Sequence, residues 1–395
     1  MLNKLKVLSF THYLQGPACS QALADYGADV LKIEATKGAF ERGWSGPKSF
    51  KNGVSLFFLL GNRNVKSMAV DLKSEEGRQI IYDLVADYDI VVENFRPGVM
   101  DKLGFSYNKL SSLNPRVIYC SLTGYGASGP YQKRPGQDLL AQSMSGIMSM
   151  TGRGDNPPCP VGTSAIDKHG ATLAAFGIVS AAFAREQTGK GCHIDSSLVN
   201  AAIDLQIEPL CYYMNAPQTV APVRPSTGLG TRIHGSPYGV YRTADGYLTL
   251  SLNKHENMVK IFEPGALDAF TEDDQIDRRL EYDAVVSQQM LKKTTDEWIA
   301  LLDANRMWYA KPYTYDEMLA DEQVRYNQTV FTMHHPVAGD VRVVNDPLRV
   351  DGQPPRLRRM PPRLGEHARE VLLAAGYSEE RIMQLKNQGV LNWEE

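Results

Sequence analysis

The amino-terminal third of the chain alternates short apolar runs with longer amphipathic segments. Residues 5–10 (LKVLSF) and 29–34 (DVLKIE) predict buried strands, and the segment between them predicts a helix that Gly27 ends. Strand, helix and parallel strand within about 30 residues make a βαβ unit. Because the alternation continues through PRVIYCSLTGYG, the sequence predicts an α/β fold with a doubly wound sheet.

The pattern changes after residue 215. NAPQTVAPVRPSTGLGTRIHG is dense in Pro and Gly, which is typical of a linker or a functional loop. A hairpin (YGVYRT and YLTLSL) and three helices are predicted next, the helices at about 255–262, 284–304 and 314–321. We therefore expect a large domain whose first part is 1–215, a linker and small α+β domain at 216–324, and a return to the large domain at 325–395.

One stretch, Val161 to Gly191, joins a polar turn to a helix of small apolar residues, predicted at Ala171 to Ala184 and followed by Gly189. The single acid of the turn is Asp167. A carboxylate at a helix start faces unpaired N–H groups, so we expect it to stay ionised. From these residues alone, Asp167 is either a helix N-cap or a poised nucleophile.

Composition narrows the choice of function. Hydrophobic residues make up 43% of the chain, charged residues 22%, and the net charge is −3, so nothing favours binding to nucleic acid or an anionic membrane. The five cysteines are scattered without CxxC spacing, which predicts reduced thiols in a cytoplasmic protein and no metal site. The first strand is not followed by GxGxxG, which weakens a nicotinamide-binding interpretation.

Six separate phrases resemble the class III CoA-transferases, the group of the formyl-CoA and carnitine CoA-transferases. They follow the order of the family and cover nearly the whole chain: THYLQGPACSQALADYGADVLKIE, NRNVKSMAVDLKS, VVENFRPGVMDKLGFSYNKLSSLNPRVIY, the Asp167 segment with TGKG, SPYGVYRTADG and PPRLGEHAREVL. The resemblance implies a Rossmann-like large domain made from both chain ends, a smaller α+β domain, and an interlocked homodimer.

The resemblance also implies roles for single residues. The acid matching Asp167 is the nucleophile, and the residue matching Gln15 lies near the reacting carbonyl. Glycines in the place of Gly228 and Gly230 shield the intermediates, while Gln137 and Asp138 match substrate-binding positions. The implied CoA contacts are Lys37, Arg63, Leu72, Lys73, Asn94, Phe95, Arg96 and Lys102.

The chemistry suits these residue types. A carboxylate can accept an acyl group and then CoA, through a mixed anhydride and an aspartyl-CoA thioester, without a metal or a redox cofactor. Acyl-CoA and a free carboxylic acid, small or dicarboxylic, are then substrates, and transfer within one molecule is also open. Two alternatives remain: an α-methylacyl-CoA racemase, which needs a second base where Gln137 stands, and a non-catalytic CoA- or nucleotide-binding protein.

Overall fold

The computed structural model describes residues 1–154 and 156–394. The chain forms two compact units. Unit 1 contains 1–141, 164–202 and 321–395, and unit 2 contains 142–163 and 203–320. Both ends of the chain therefore belong to unit 1. The boundaries differ from the expected ones at 142–163 and 203–215, which group with unit 2 because Gln206 bonds the Ser145 carbonyl and Arg224 bonds that of Thr151.

Strands of the described residues are numbered in chain order. They are β1 (Lys6–Phe10), β2 (Asp29–Glu34), β3 (Phe50–Lys51), β4 (Val54–Ser55), β5 (Val65–Val70), β6 (Ile90–Glu93), β7 (Ile118–Thr123), β8 (His193–Ser197), β9 (Tyr238–Arg242), β10 (Tyr247–Ser251), β11 (Tyr309–Ala310), β12 (Val330–His335), β13 (Gly339–Val344) and β14 (Leu391–Asn392).

Helices are numbered in the same way. They are α1 (Gln15–Asp25), α2 (Leu56–Leu60), α3 (Glu75–Val85), α4 (Val99–Leu103), α5 (Tyr107–Leu113), α6 (Asp138–Ser145), α7 (Ile147–Met150), α8 (Ala165–Thr188), α9 (Leu198–Asp204), α10 (Ile207–Asn215), α11 (His255–Ile261), α12 (Asp274–Asp277), α13 (Arg279–Met290), α14 (Thr295–Ala304), α15 (Tyr315–Ala320), α16 (Glu322–Tyr326), α17 (Ala368–Ala374) and α18 (Glu379–Asn387).

The central sheet of unit 1 has the strand order β14-β5-β2-β1-β6-β7-β8. All neighbours are parallel except β14, which pairs antiparallel with β5. The parallel strands follow the order of the doubly wound nucleotide-binding fold, which changes direction between β1 and β6. In such sheets the crevice at the carboxyl ends of those two strands is the usual ligand site. The predicted α/β class and doubly wound sheet are confirmed.

Helices cover both faces of this sheet. One face packs on α3, α4, α5, α17 and α18, and the other packs on α1 and α8. The second face is built from small side chains, including Ala24 of α1 and Ala174 of α8, which let the two helices pack against each other and against the strands. Adding bulk there should cost about 1–3 kcal/mol, because a well-packed core must shift to admit it.

Unit 2 has its own core around a three-stranded antiparallel sheet, β11-β10-β9. The predicted hairpin is confirmed as β9 and β10. The predicted helix at 284–304 is wrong, because α13 ends at Met290 and α14 begins after Thr294. Thr294 and Glu297 form a capping box that starts α14, and this Thr-x-x-Glu signal is readable in the sequence.

Within the part of the chain that the structure describes, no helix combines the length and the apolar character needed to span a bilayer.

Candidate active site

Helix α8 begins six residues earlier than the sequence predicts, at Ala165 instead of Ala171, and so includes Asp167 in its first turn. The reason is a carboxylate from another part of unit 1. Asp138 Oδ2 accepts hydrogen bonds of 2.8 Å from the backbone N–H groups of both Ile166 and Asp167. Ser164, at the N-cap position, makes no side-chain cap bond. Asp138 therefore does the capping, and the N-cap interpretation of Asp167 is wrong.

The Asp167 carboxyl group is half-buried in this first turn. Burial raises the pKa of Asp167 to about 7, and the charge of Asp138 adds to the rise. A helix dipole opposes this change but is worth only about 0.3–1 kcal/mol, less than one pKa unit. Desolvation and the neighbouring carboxylate dominate, so the expectation that Asp167 stays fully ionised at neutral pH is wrong.

Gln15 begins α1, directly after the turn that follows β1, and only 4% of it is exposed. A Cβ atom placed on Gly170 would lie 2.7 Å from Gln15 Nε2, so the amide rests on the first turns of α8. Gly170 and Asp167 are three residues apart on that helix and share a face. Gln15 Nε2 is buried and has no hydrogen-bond partner among the described residues. An unsatisfied buried donor costs free energy and calls for an acceptor at this place.

Four exposed cations lie at the same edge of the sheet. Lys37 follows β2, Lys73 follows β5, Arg96 follows β6, and Lys102 is in α4. Leu72 lies beside Lys73 and packs half-buried on the core. None of the four cations forms an ion pair within residues 1–154 and 156–394. An open pocket of about 240 Å³ adjoins Arg96. The structure thus brings these predicted CoA contacts to one edge.

Arg63 lies elsewhere. It precedes β5, so it is at the amino edge of the sheet, opposite the four cations. Its side chain is buried and donates to both oxygens of Asp25, while Nη1 donates to the Val344 carbonyl. This guanidinium holds the carboxyl-terminal segment against α1, and these contacts conflict with the predicted CoA contact of Arg63.

Asn94 and Phe95 follow β6 at the carboxyl edge. The side-chain amide of Asn94 accepts from the N–H of His12 at 2.9 Å and donates to the C=O of His12 at 2.8 Å. The Phe95 ring lies 5.2 Å from the His12 ring, measured between centroids. Asn94 thus clamps the backbone of the turn that leads to Gln15, a role the sequence did not indicate.

Gln137 is exposed and directly precedes Asp138 at the start of α6. Gly228 and Gly230 belong to unit 2, where they pair with β9. The Gly228 carbonyl accepts from Val240, and the N–H of Gly230 donates to the Tyr238 carbonyl. A Cβ on Gly228 would lie 2.4 Å from the Tyr241 ring, so packing within unit 2 already requires glycine there.

The sequence analysis missed two groups of residues around Gln15. Lys32 and Glu41 form a fully buried ion pair beneath the turn at 11–13. An aromatic cluster of Tyr13, Phe40 and Trp44 lies partly exposed beside it, with ring centroids 5.1–6.5 Å apart. The available signal was a lysine inside the otherwise buried strand DVLKIE, because a buried charge needs a partner.

Comparisons with known proteins agree with this architecture. Residues 2–368 match the profile of the family described as CoA-transferase family III. A succinyl-CoA:glutarate CoA-transferase from Mus musculus is 31% identical over 405 residues, covering 100% of this chain and 91% of that protein. A succinyl-CoA–D-citramalate CoA-transferase from Chloroflexus aurantiacus is 30% identical over 400 residues, covering 99% and 98%.

Among solved structures, the chain resembles a CaiB/BaiF family protein from Brucella suis. The TM-score is 0.81 at 29% identity, covering 95% of this chain and 99% of that one. The family profile spans nearly the whole chain, and the related enzymes match it from end to end. The chain therefore belongs to CoA-transferase family III and is a CoA-transferase.

Proposed function

We propose that this enzyme moves CoA from an acyl-CoA to a carboxylate through covalent intermediates on Asp167. The observation that carries the proposal is the first turn of α8. There a half-buried carboxyl group with a pKa raised to about 7 shares a helix face with the residue that touches the unpartnered Gln15 amide. A poorly solvated carboxylate is a stronger nucleophile than one in water, and an amide donor beside it suits a developing oxyanion.

The first half of the reaction places the acyl group on the enzyme. Ionised Asp167 attacks the thioester carbonyl, the C–S bond breaks, and CoA leaves as the thiolate, giving a mixed anhydride. The thiolate then attacks the Asp167 carbonyl, the product carboxylate leaves, and an aspartyl-CoA thioester remains. The second half repeats these steps in reverse with the acceptor acid. Each attack places negative charge on a carbonyl oxygen. The side-chain amide of Gln15, through the N–H groups on Nε2, is our candidate hydrogen-bond donor to that oxygen.

Binding of CoA uses the exposed cations at the carboxyl edge. Its phosphates carry several negative charges. Lys37, Lys73 and Arg96, in loops, and Lys102, in α4, offer positive charge at one edge of the sheet. This edge also holds the turn leading to Gln15, so a CoA molecule bound there can reach Asp167 with its thioester. Leu72 and Phe95 provide apolar surface in the same loops.

For the acid substrates we propose dicarboxylates, with succinyl-CoA as a donor. The support is that the related enzymes from Mus musculus and Chloroflexus aurantiacus are named for succinyl-CoA and for glutarate or D-citramalate. Gln137, exposed beside Asp138, is a candidate contact for the second carboxylate of such an acid, because its amide can donate hydrogen bonds.

We further propose the interlocked homodimer. In unit 1, α8 exposes Phe176, Val179 and Phe183, which lie along one helix face, with Phe176 and Phe183 more than 70% exposed. In unit 2, α10 exposes Ile207 and Met214. Large apolar side chains in such rows are typical of an interface, and a second copy of the chain is the proposed partner. The predicted shielding role of Gly228 and Gly230 is a further part of the proposal.

The deciding experiment combines a variant with trapping. Asp167→Ala should remove CoA transfer from succinyl-CoA to a panel of mono- and dicarboxylic acids, while Asp87→Ala, an exposed acid at the other edge of the sheet, should leave it unchanged. Hydroxylamine added with succinyl-CoA should convert Asp167 to a hydroxamate, detected by mass spectrometry of its peptide. Activity of Asp167→Ala within tenfold of the native enzyme, or an adduct on another residue, would refute the proposal.

A further inference from the structure

The turn at residues 11–13 joins β1 to α1 and sets the position of Gln15. Since β1 lies between β2 and β6, the turn leaves the sheet at the point where the strand order changes direction. Here the backbone no longer has ladder partners, and its polar groups need other ones. Tyr13 also has a φ of 60°, a left-handed conformation that is uncommon for a residue with a side chain.

Side chains on or after the two flanking strands supply these partners. From the β2 side, Lys32 Nζ donates to the Thr11 carbonyl at 2.7 Å and to Glu41 Oε1 at 2.9 Å. Glu41 Oε2 accepts from the N–H of Tyr13 at 3.3 Å. Both members of this ion pair are fully buried. The pair thus binds the backbone of the turn at two points.

From the β6 side, Asn94 extends the ladder. Its own N–H donates to the Phe10 carbonyl, and its side chain then pairs with both backbone groups of His12. Gly16 completes the packing, because a Cβ on it would lie 2.6 Å from Thr11 Cβ and 2.9 Å from Asn94 Cγ. The turn is therefore held from two sides, and Gln15 lies two residues after it.

We propose that Asn94, together with the buried Lys32–Glu41 pair, positions the Gln15 amide for the transfer reaction by fixing the backbone of residues 11–13. This inference rests on the proposed role of Gln15 in the transfer. Gln15 itself makes no hydrogen bond through Nε2 within the described residues, so the backbone and the contact with Gly170 determine where that donor lies. An oxyanion donor acts only within about 0.2 Å of its best distance, so a small displacement of the turn reduces the rate.

Asn94→Ala is the test variant, and the readouts are kcat and KM. Losing one oxyanion donor typically lowers kcat by about 10²–10³, so Gln15→Ala should show a loss of that size. Asn94→Ala should lower kcat by about tenfold or more, with KM for succinyl-CoA changed by less than threefold. In the Gln15→Ala background, Asn94→Ala should add less than a threefold loss, because coupled residues are not additive.

Asn64→Ala is the matched control. Asn64 is also a buried asparagine that clamps backbone, accepting from the N–H groups of Arg358 and Arg359, but it serves the carboxyl-terminal segment. The Asn64→Ala variant should have a lower thermal stability, and its kcat when folded should stay within twofold of the native value. Gly170→Ala displaces the Gln15 amide independently of the turn, because its new methyl group would meet Gln15 Nε2, and it should also lower kcat.

The outcomes distinguish the positioning role of Asn94 from the proposed transfer through Asp167. If Asn94→Ala raises KM for succinyl-CoA at unchanged kcat, Asn94 is a CoA contact and the positioning role is refuted. Full additivity of Asn94→Ala and Gln15→Ala refutes it as well. If Gln15→Ala keeps native kcat, positioning through Gln15 is refuted while transfer through Asp167 stands. The proposed function itself is refuted by an active Asp167→Ala enzyme or by a trapped adduct on a residue other than Asp167.

Discussion

Replacing Asp167 by Asn should stabilise the protein at alkaline pH while abolishing transfer. The pKa of Asp167 rises from 3.8 to about 7 on folding, and each unit is worth 1.36 kcal/mol, which gives about 4 kcal/mol. Between these two values the folded state binds more protons than the unfolded state. The stability of the native sequence therefore falls as pH rises through this window, and the fall is complete above pH 7. Asn cannot ionise, so the variant avoids this loss.

The measurement is thermal unfolding at fixed protein concentration between pH 5 and pH 8.5. About two of the three pKa units lie in this range. With an unfolding entropy of about 2.1 cal/mol/K per residue, the Tm difference between variant and native protein should widen by about 3 °C. Glu317→Gln is a control of opposite sign, because hydrogen bonds from Thr314 and an ion pair with Lys311 lower the pKa of Glu317 to about 2. Because the folded state favours the ionised Glu317 carboxylate, replacing this residue by Gln should lower Tm at pH 7.

A constant Tm difference across this pH range would refute the reasoning, because it would mean that folding does not raise the pKa of Asp167. A helix dipole that outweighed desolvation would lower this pKa below 3.8, and the Tm difference would then also stay constant above pH 5. Enzyme activity should be absent in Asp167→Asn at every pH, since an amide cannot attack the thioester.

The remaining predictions concern pH dependence, CoA binding, reaction class and assembly. For the native enzyme, kcat/KM should rise with pH to a plateau, with a midpoint near the pKa of about 7 of Asp167; Asp138→Asn should move that midpoint to lower pH, and an unmoved midpoint would contradict the assigned cause. Lys73→Met and Lys102→Met should each raise KM for acyl-CoA about tenfold with kcat within twofold, a pattern that an effect on kcat alone would contradict. In D₂O a 2-methylacyl-CoA should gain no α-deuterium; rapid incorporation without CoA exchange would make the enzyme a racemase. Light scattering should show a dimer and no folded monomer on dilution, and Phe183→Glu should prevent its assembly; a stable native monomer would contradict the interlocked architecture.

The sequence predicts the central sheet well because the relevant signals are local. Apolar runs alternate with amphipathic segments, and each βαβ unit needs only about 30 residues to be recognised. The hairpin of unit 2 was equally accessible, since Ala244-Asp245-Gly246 separates two strand patterns. The boundary between α13 and α14 was missed although its capping box is also local.

The direction of the strands predicts on which edge of the sheet each candidate CoA-binding cation lies. Residues that follow a parallel strand lie at its carboxyl edge, and residues that precede it lie at the opposite edge. Lys37, Lys73 and Arg96 follow strands and reach the predicted edge. Arg63 precedes β5 and lies at the other edge, where Asp25 pairs with it. The position of Arg63 before its strand, and of the other three cations after theirs, could therefore have been used to separate them from the sequence alone.

The raised pKa of Asp167 could not be predicted from the residues next to it in the sequence. The start of α8 depends on Asp138, which approaches from a different segment of the chain and occupies the N–H groups that a helix-start acid would otherwise use. The same contact places a second negative charge beside Asp167, so capping by Asp138 also raises the pKa of Asp167. A carboxyl group at a helix start is expected to be a better acid than usual. Here it is a weaker acid, because burial removes its carboxyl group from water and because its helix is capped by a neighbour of like charge.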